Sequence, residues 1–225
     1  MKWGILGALD KEVELLIDQM EGRQSVQHLG TAFYLGQLRG QPAVVACCNP
    51  GTINAAVSAA ALIEHFGAEC LINCGVAGAA APDLKLLDVV IGQQTVFHDR
   101  DPVLLKYPPR SLAFPADARL LELCRQACAQ LNLPARVGTI ATGDWFICDG
   151  ARTQAIRRAC GADCVEMEGA AVGQVCALYG RPYLVLRSMS DSADQDTPAT
   201  YDDWIERAAH QSARIILTML ELAGS

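Results

Sequence analysis

Apolar residues along the chain occur in short uninterrupted runs separated by longer stretches with helical spacing. The uninterrupted runs predict six strands, at residues 3–6, 43–48, 70–73, 89–91, 137–141 and 183–186. Runs that are apolar at nearly every position are typical of strands covered on both faces of a sheet. The pattern therefore predicts a buried central sheet.

The helical stretches lie between these strands. The first helix is indicated by the i, i+3, i+4, i+7 spacing of Val13, Leu16, Ile17 and Met20, behind a predicted N-cap at Asp10. Four more are predicted at residues 53–66, 118–131, 169–179 and 201–223, and a proline-rich surface loop at residues 101–115. This alternation predicts a three-layer α/β/α sandwich with a central mixed, mostly parallel sheet, formed by a single domain over residues 1–225.

Composition and charge narrow the classes of partner. The 225 residues are 51% hydrophobic and 19% charged, enough to bury the core of one domain. A formal net charge of −7 offers no cationic surface for nucleic acid or an anionic membrane. The N-terminal apolar run meets Asp10 and Glu12 too early for a signal peptide, and no run reaches the roughly 20 residues that span a bilayer. We therefore expect a cytoplasmic protein that binds a small molecule, without nucleic-acid or membrane partners.

Ten cysteines and four histidines raise the question of a metal site. The cysteines are scattered among aliphatic residues without a C-x-x-C pair, and the histidines are equally dispersed. This distribution is typical of small buried thiols in a reducing compartment. We expect neither a metal nor a cofactor.

Four polar segments coincide with the ends of predicted strands, where ligands bind in open α/β sheets. In GALDKE, Glu12 falls in the first turn of the first helix, either as a fixed carboxylate in a site or as a solvated acid favoured by the helix N-terminus. In INCGVAG, residues 75–78 are predicted as a glycine turn after the strand. Such a turn lets the backbone approach a planar ligand, or it is purely structural.

The other two segments carry more charge. VEMEGAA places Glu166 and Glu168 at the start of a helix of small residues, where they either bind a ligand or cap the helix. LRSMSDSAD places Arg187 and Asp191 after the last predicted strand, and Asp191 either acts in a site or caps a turn. A partly buried Arg187 requires a carboxylate partner, for which Glu12 is a candidate.

The chain resembles the 5′-methylthioadenosine/S-adenosylhomocysteine nucleosidases, within the purine nucleoside phosphorylase-like family, in five segments taken in order: GALDKE, INCGVAGAAAPDLKLLDVVI, ATGDWFI, VEMEGAA and RSMSDSAD. The resemblance covers nearly the whole chain. It implies an N-glycosyl hydrolase that uses water to release adenine from a 5′-thio-substituted adenosine. It also implies a homodimer.

The resemblance implies that Glu12 is the general base, that Asp191 is the general acid, and that Arg187 orients the base and the water. Adenine leaves poorly as an anion, so an acid must protonate it while a base deprotonates water that attacks an oxocarbenium-like sugar. Glu168 is implied to accept hydrogen bonds from the ribose hydroxyls, and Phe146 to stack on the purine. The implied substrate-binding residues are Leu9, Val76, Ala77, Gly78, Phe146, Ile147, Glu166, Met167, Glu168, Ser190 and Tyr201.

Three departures from the family pattern affect the substrate more than the reaction. Val76 replaces a frequent serine, CNPGTINAA brings Pro50 and Thr52 in place of a pattern closer to SGIGKVNAA, and the loop around residues 107–109 is altered. Three other functions stay open: a phosphate-dependent purine nucleoside phosphorylase, a nucleosidase for another 5′-substituted purine nucleoside of the futalosine type, and a non-catalytic nucleoside-binding protein.

Overall fold

The computed structural model describes residues 1–191 and 201–224, and for residues 201 and 202 the backbone alone. The strands are β1 (Trp3–Gly7), β2 (Glu21–His28), β3 (Thr31–Leu38), β4 (Gln41–Cys47), β5 (Cys70–Ala79), β6 (Val89–Phe97), β7 (Ala113–Pro115), β8 (Ala135–Thr142), β9 (Cys164–Glu166) and β10 (Tyr183–Asp191). The helices are α1 (Asp10–Asp18), α2 (Thr52–Glu64), α3 (Ala118–Gln130), α4 (Gly150–Cys160), α5 (Gly169–Tyr179) and α6 (Tyr201–Gly224), with a 3-10 helix at Pro102–Lys106.

The strands form one mixed sheet, which confirms the predicted class. Its centre is parallel, in the order β4, β1, β5, β10, and β6, β8 and β9 are also parallel to one another. Antiparallel pairings join β10 to β6 and β5 to β9, and add β3, β2 and β7 at the edges. Among the described strands the parallel and antiparallel pairings are equal in number, so the parallel character belongs to the centre of the sheet.

Hydrophobic layers cover the two faces of the sheet. Helices α2 and α5 pack on one face through small side chains such as Ala59, while α1, α3 and α6 pack on the other through larger ones such as Ile216. Successive strand residues alternate between the layers, as Val44 and Val45 do. The predicted three-layer sandwich is confirmed.

Two strands are longer than predicted, which corrects the expected turns. Residues 75–78 were predicted as a glycine turn, but β5 continues through them to Ala79, and β10 continues to Asp191. The two extensions pair with each other in parallel, with Arg187 opposite Gly75 and Ser188 opposite Val76. The apolar pattern ends early because glycine and polar residues interrupt it, although Ala77 and Met189 within the extensions still lie in the core.

Three further differences follow from exposure and from local geometry. Strand β2 was missed because its side chains are almost all exposed, so it carries no apolar period. The predicted loop at residues 101–115 contains the 3-10 helix and β7. Asp10 is the first residue of α1, and Leu9 rather than Asp10 is the N-cap. No helix in the described part of the chain is long and apolar enough to cross a bilayer.

Candidate active site

A pocket of about 300 Å³ opens where the carboxyl ends of β1, β5 and β10 meet at one edge of the sheet. All the predicted site residues line it except Arg187, which is buried, and Tyr201, whose side chain lies outside the described residues. The lining residues are Ala8, Leu9, Glu12, Pro50, Val76, Ala77, Gly78, Trp145, Phe146, Ile147, Val165, Glu166, Met167, Glu168, Ser190, Asp191 and Ile205.

Glu12 is a buried carboxylate held by three backbone N–H groups. Ala8 and Leu9 donate to Oε2 at 2.6 and 3.0 Å, and Val76 donates to Oε1 at 2.8 Å. The bond from Leu9 is half of a capping box, since Leu9 is the N-cap of α1 and Glu12 its third residue. Glu12 therefore caps its own helix from a buried position in the pocket, so the expectation of a solvated acid at this place is wrong.

Two glycines leave room for the Glu12 side chain. A Cβ at residue 75 would overlap the Glu12 carboxylate, and one at residue 7 would lie 3.0 Å from the Glu12 Cβ. Gly75 is therefore required by close approach within a strand. This corrects the expected role of INCGVAG, because the glycine serves the carboxylate rather than a turn.

Burial raises the pKa of Glu12 above its ordinary value, although the charge of Arg187 and the three backbone donors offset part of this effect. Burial, followed by the like charge of Glu166, raises the pKa of Glu168 to about 8. A carboxyl group with a raised pKa binds a proton more readily than an ordinary one. Such groups are suited to proton transfer near neutral pH.

A buried ion pair lies behind the pocket. The Arg187 guanidinium contacts the Glu166 carboxylate, with both side chains 2% exposed, and lies 3.5 Å from Glu168 Oε2. It also donates to Asn73 Oδ1 at 2.6 Å. The partner of Arg187 is therefore Glu166, which corrects the expectation of Glu12, whose oxygens are occupied by backbone donors.

Glu166 also organises the start of α5. Its carboxylate accepts hydrogen bonds from the Glu168 and Gly169 backbone N–H groups at 3.1 and 2.8 Å, and from the Thr142 hydroxyl. These bonds satisfy donors at the N-terminus of α5 and so fix the residue that carries the Glu168 side chain. The helix-capping interpretation of Glu166 is confirmed, and the same residue lines the pocket.

Asp191 lies nearer the carboxyl ends of the paired strands β5 and β10 than Val76, whose N–H donates to Glu12. In the register of β5 and β10, Asp191 is opposite Gly78, whereas Val76 is opposite Ser188. The Ser190 hydroxyl donates to Asp191 Oδ2 at 3.0 Å. The two carboxyl groups therefore occupy different positions along one wall of the pocket.

Five lining residues were not among the implied catalytic or substrate-binding residues: Ala8, Trp145, Val165, Pro50 and Ile205. The first three are sequence neighbours of predicted residues. Ile205 is four residues beyond Tyr201 in α6, and that i, i+4 spacing was an available signal. Trp145 is 62% exposed, and the guanidinium of Arg152 lies 5.0 Å from its ring centroid.

The N-terminus of α2 is occupied by carboxylates of the protein itself. The Gly51 N–H donates to Glu168 Oε1 at 2.9 Å, and the Thr52 N–H donates to Asp144 Oδ1 at 2.7 Å. Free N–H groups at such a position ordinarily attract phosphate and other anions. Here both donors are taken. Within the described residues, no group of three or more His, Cys, Asp or Glu is arranged to hold a metal ion.

The sequence is similar to those of known enzymes. The sequence profile of the Phosphorylase superfamily matches residues 2–221. A 5′-methylthioadenosine/S-adenosylhomocysteine nucleosidase from Geobacillus thermodenitrificans is 38% identical over 232 residues, covering 100% of this chain and 98% of the relative.

Two solved structures are closely similar to this fold. A 5′-methylthioadenosine/S-adenosylhomocysteine nucleosidase from Neisseria meningitidis in complex with methylthio-immucillin-A has a TM-score of 0.93 at 33% identity, covering 98% of this chain and 99% of that chain. A futalosine hydrolase mutant from Helicobacter pylori has a TM-score of 0.92 at 28% identity, covering 99% of each chain.

Proposed function

The chain belongs to the Phosphorylase superfamily, and we propose that within it the protein is a purine nucleosidase that hydrolyses 5′-methylthioadenosine and S-adenosylhomocysteine and releases adenine. The identity to nucleosidases over the whole chain supports this substrate class. The observation that carries hydrolysis is Glu12, a buried carboxylate in the pocket that is bonded to three backbone N–H groups.

The same observation argues against a phosphorylase. A phosphate nucleophile needs cationic or backbone donors in the pocket. The donors at Ala8, Leu9 and Val76 are bonded to Glu12, and those at Gly51 and Thr52 are bonded to Glu168 and Asp144. A phosphate would have to displace these carboxyl groups from their donors, whereas a water molecule does not need those donors.

In the proposed reaction Glu12 takes a proton from water as the water oxygen bonds to C1′ of the sugar. The bond from C1′ to N9 breaks, its electron pair passes into the purine, and Asp191 gives a proton to N7, so adenine leaves neutral. Glu168 accepts hydrogen bonds from the ribose hydroxyls. Arg187, which is paired with Glu166, fixes Glu168, and its positive charge lowers the pKa of Glu12 from the higher value that burial alone would impose.

The 5′ substituent is tested by release of free base across a panel of nucleosides. We expect the largest kcat/KM for 5′-methylthioadenosine and S-adenosylhomocysteine, because Leu9 and Pro50 line the pocket, are apolar, and by the family resemblance lie near the 5′ group. Inosine analogues should be poor substrates. A preference for a futalosine-type substrate in this panel would identify the alternative nucleosidase, and tight binding of adenosine analogues without base release would indicate a binding protein.

We further propose that the protein is a cytoplasmic homodimer. Exposed apolar side chains support the dimer, among them Ile53 and Val57 on α2 and Leu104 on the 3-10 helix. Sedimentation should give twice the 24.1 kDa of the chain, and Ile53→Asp should shift it toward monomer. The matched control is Leu29→Asp, at an exposed turn between β2 and β3. A monomeric wild-type protein at micromolar concentration would contradict the dimer.

The cytoplasmic location is supported by the ten free thiols, most of which are buried, because free thiols are typical of proteins in a reducing compartment.

A further inference from the structure

We propose that Asp144 is a positioning residue that fixes the base-binding segment, residues 145–147, against the N-terminus of α2, an inference that rests on the proposed function. Asp144 lies directly before this segment, in which Trp145 and Phe146 are more than half exposed. Ile147 at the end of the segment is buried in a hydrophobic cluster, but the two residues next to Asp144 are not packed in this way. The position of this exposed part therefore depends more on polar bonds than on packing.

The side chain of Asp144 supplies the cap that α2 lacks. The N-cap of α2 is Gly51, with φ of 108°, which has no side-chain oxygen to accept from the first turn. Asp144 supplies both acceptors from 92 residues away: Oδ1 accepts the Thr52 N–H at 2.7 Å, and Oδ2 accepts the Thr52 hydroxyl at 2.6 Å. The positive end of the helix dipole favours a negative group at this place.

Asp144 and Thr52 each make a further hydrogen bond, to the neighbouring residues Asp99 and Arg100. The Asp144 N–H donates to Asp99 Oδ2 at 2.8 Å, and Arg100 Nη2 donates to Thr52 Oγ1 at 3.1 Å. Asp144 is thus held through its backbone and its side chain to two different parts of the fold. Residues 145–147 begin from a fixed point.

The N-terminus of α2 also binds Glu168, the residue proposed to bind the ribose. The Gly51 N–H donates to Glu168 Oε1 at 2.9 Å, one residue before the N–H that binds Asp144. Adjacent donors of one rigid helix thereby set the distance between the carboxylate for the sugar and the segment for the base. Loss of the Asp144 contact should weaken binding of the base while leaving proton transfer at Glu12 and Asp191 intact.

The experiment compares Asp144→Ala with the wild type by steady-state kinetics and by calorimetry with adenine. We expect KM for 5′-methylthioadenosine and Kd for adenine each to rise about tenfold, with kcat changed less than about threefold. Asp144→Asn should restore most of the affinity, because its amide oxygen accepts the Thr52 N–H and its NH₂ donates to the Thr52 hydroxyl. Thr52→Val, which removes the hydroxyl bonds to Asp144 and Arg100 but keeps the Thr52 N–H bond to Asp144, should give a smaller rise.

The matched control is Asp149→Ala at the far end of the same loop. Asp149 is exposed, as Asp144 is, but it accepts the Ala151 N–H of α4 at 2.8 Å rather than a donor of α2, so its loss should leave KM and the adenine Kd unchanged. Wild-type adenine affinity in a folded Asp144→Ala protein, or in Thr52→Val if Asp144→Ala does not fold, would overturn the positioning role. A wild-type enzyme that binds adenine but releases none from any nucleoside would instead refute the proposed function.

Discussion

Asp191→Asn should lower kcat for adenine release by about 10²- to 10⁴-fold, the range that a positioned general acid contributes. The amide has the shape of the carboxylic acid but cannot give up a proton to N7, so adenine would have to leave as an anion. The melting temperature should change little, because Asp191 is the half-buried last residue of β10 and an amide oxygen can still accept the Ser190 hydroxyl.

A substrate with a good leaving group separates the acid role from a structural one. In a nitrophenyl 5-thioriboside the leaving group is a nitrophenolate, which is stable as an anion and needs no protonation. Asp191→Asn should therefore cleave it with a much smaller loss than it shows for 5′-methylthioadenosine. An active Asp191→Asn enzyme with the natural nucleoside, or equal losses on both substrates, would contradict the acid role.

Glu12→Gln should lower kcat by a similar factor, about 10²- to 10⁴-fold, because an amide cannot accept the proton of the attacking water. The pH profile gives an independent check. Burial raises the pKa of Glu12 above its ordinary value of roughly 4.3, so the base form is lost as the pH falls through this raised pKa. In the wild type kcat/KM should therefore fall on the acid side at a pH above this ordinary value. The limb should be less steep in the residual activity of Glu12→Gln, where Glu168, with its pKa raised to about 8, still titrates.

Glu14→Gln is the matched control on the same helix. Glu14 is exposed and its Oε1 lies 2.9 Å from His210 Nε2, on the outer surface of α1. Its replacement should leave both kcat and the acid limb as they are in the wild type. If Glu12→Gln retained wild-type turnover, the attacking water would need another base, and the assignment of Glu12 would be wrong.

The apolar pattern predicted the layers and the class of the sheet because buried strands and amphipathic helices carry a strong period. It failed where burial and polarity do not follow that period. Exposed β2 has no apolar face, and the ends of β5 and β10 are buried against each other and against polar groups. Periodicity alone therefore ended both strands too early.

The site was predicted through resemblance, since spacing alone left Glu12 and Asp191 open to interpretation as caps. The pairing of Arg187 with Glu166 could not be predicted, because it depends on β9 lying against β8 and β5. Nor could the contact between Thr52 and Asp144, which joins residues 92 positions apart. Both are tertiary contacts that leave no local pattern in the sequence.

The central claim is that water, and not phosphate, attacks the sugar, because five backbone donors in and beside the pocket are bonded to the carboxyl groups of Glu12, Glu168 and Asp144. The most direct test is the rate of adenine release from 5′-methylthioadenosine in phosphate-free buffer, with and without added phosphate. We predict equal rates and free 5-methylthioribose as the sugar product. Release that requires phosphate and yields the sugar 1-phosphate would contradict the claim.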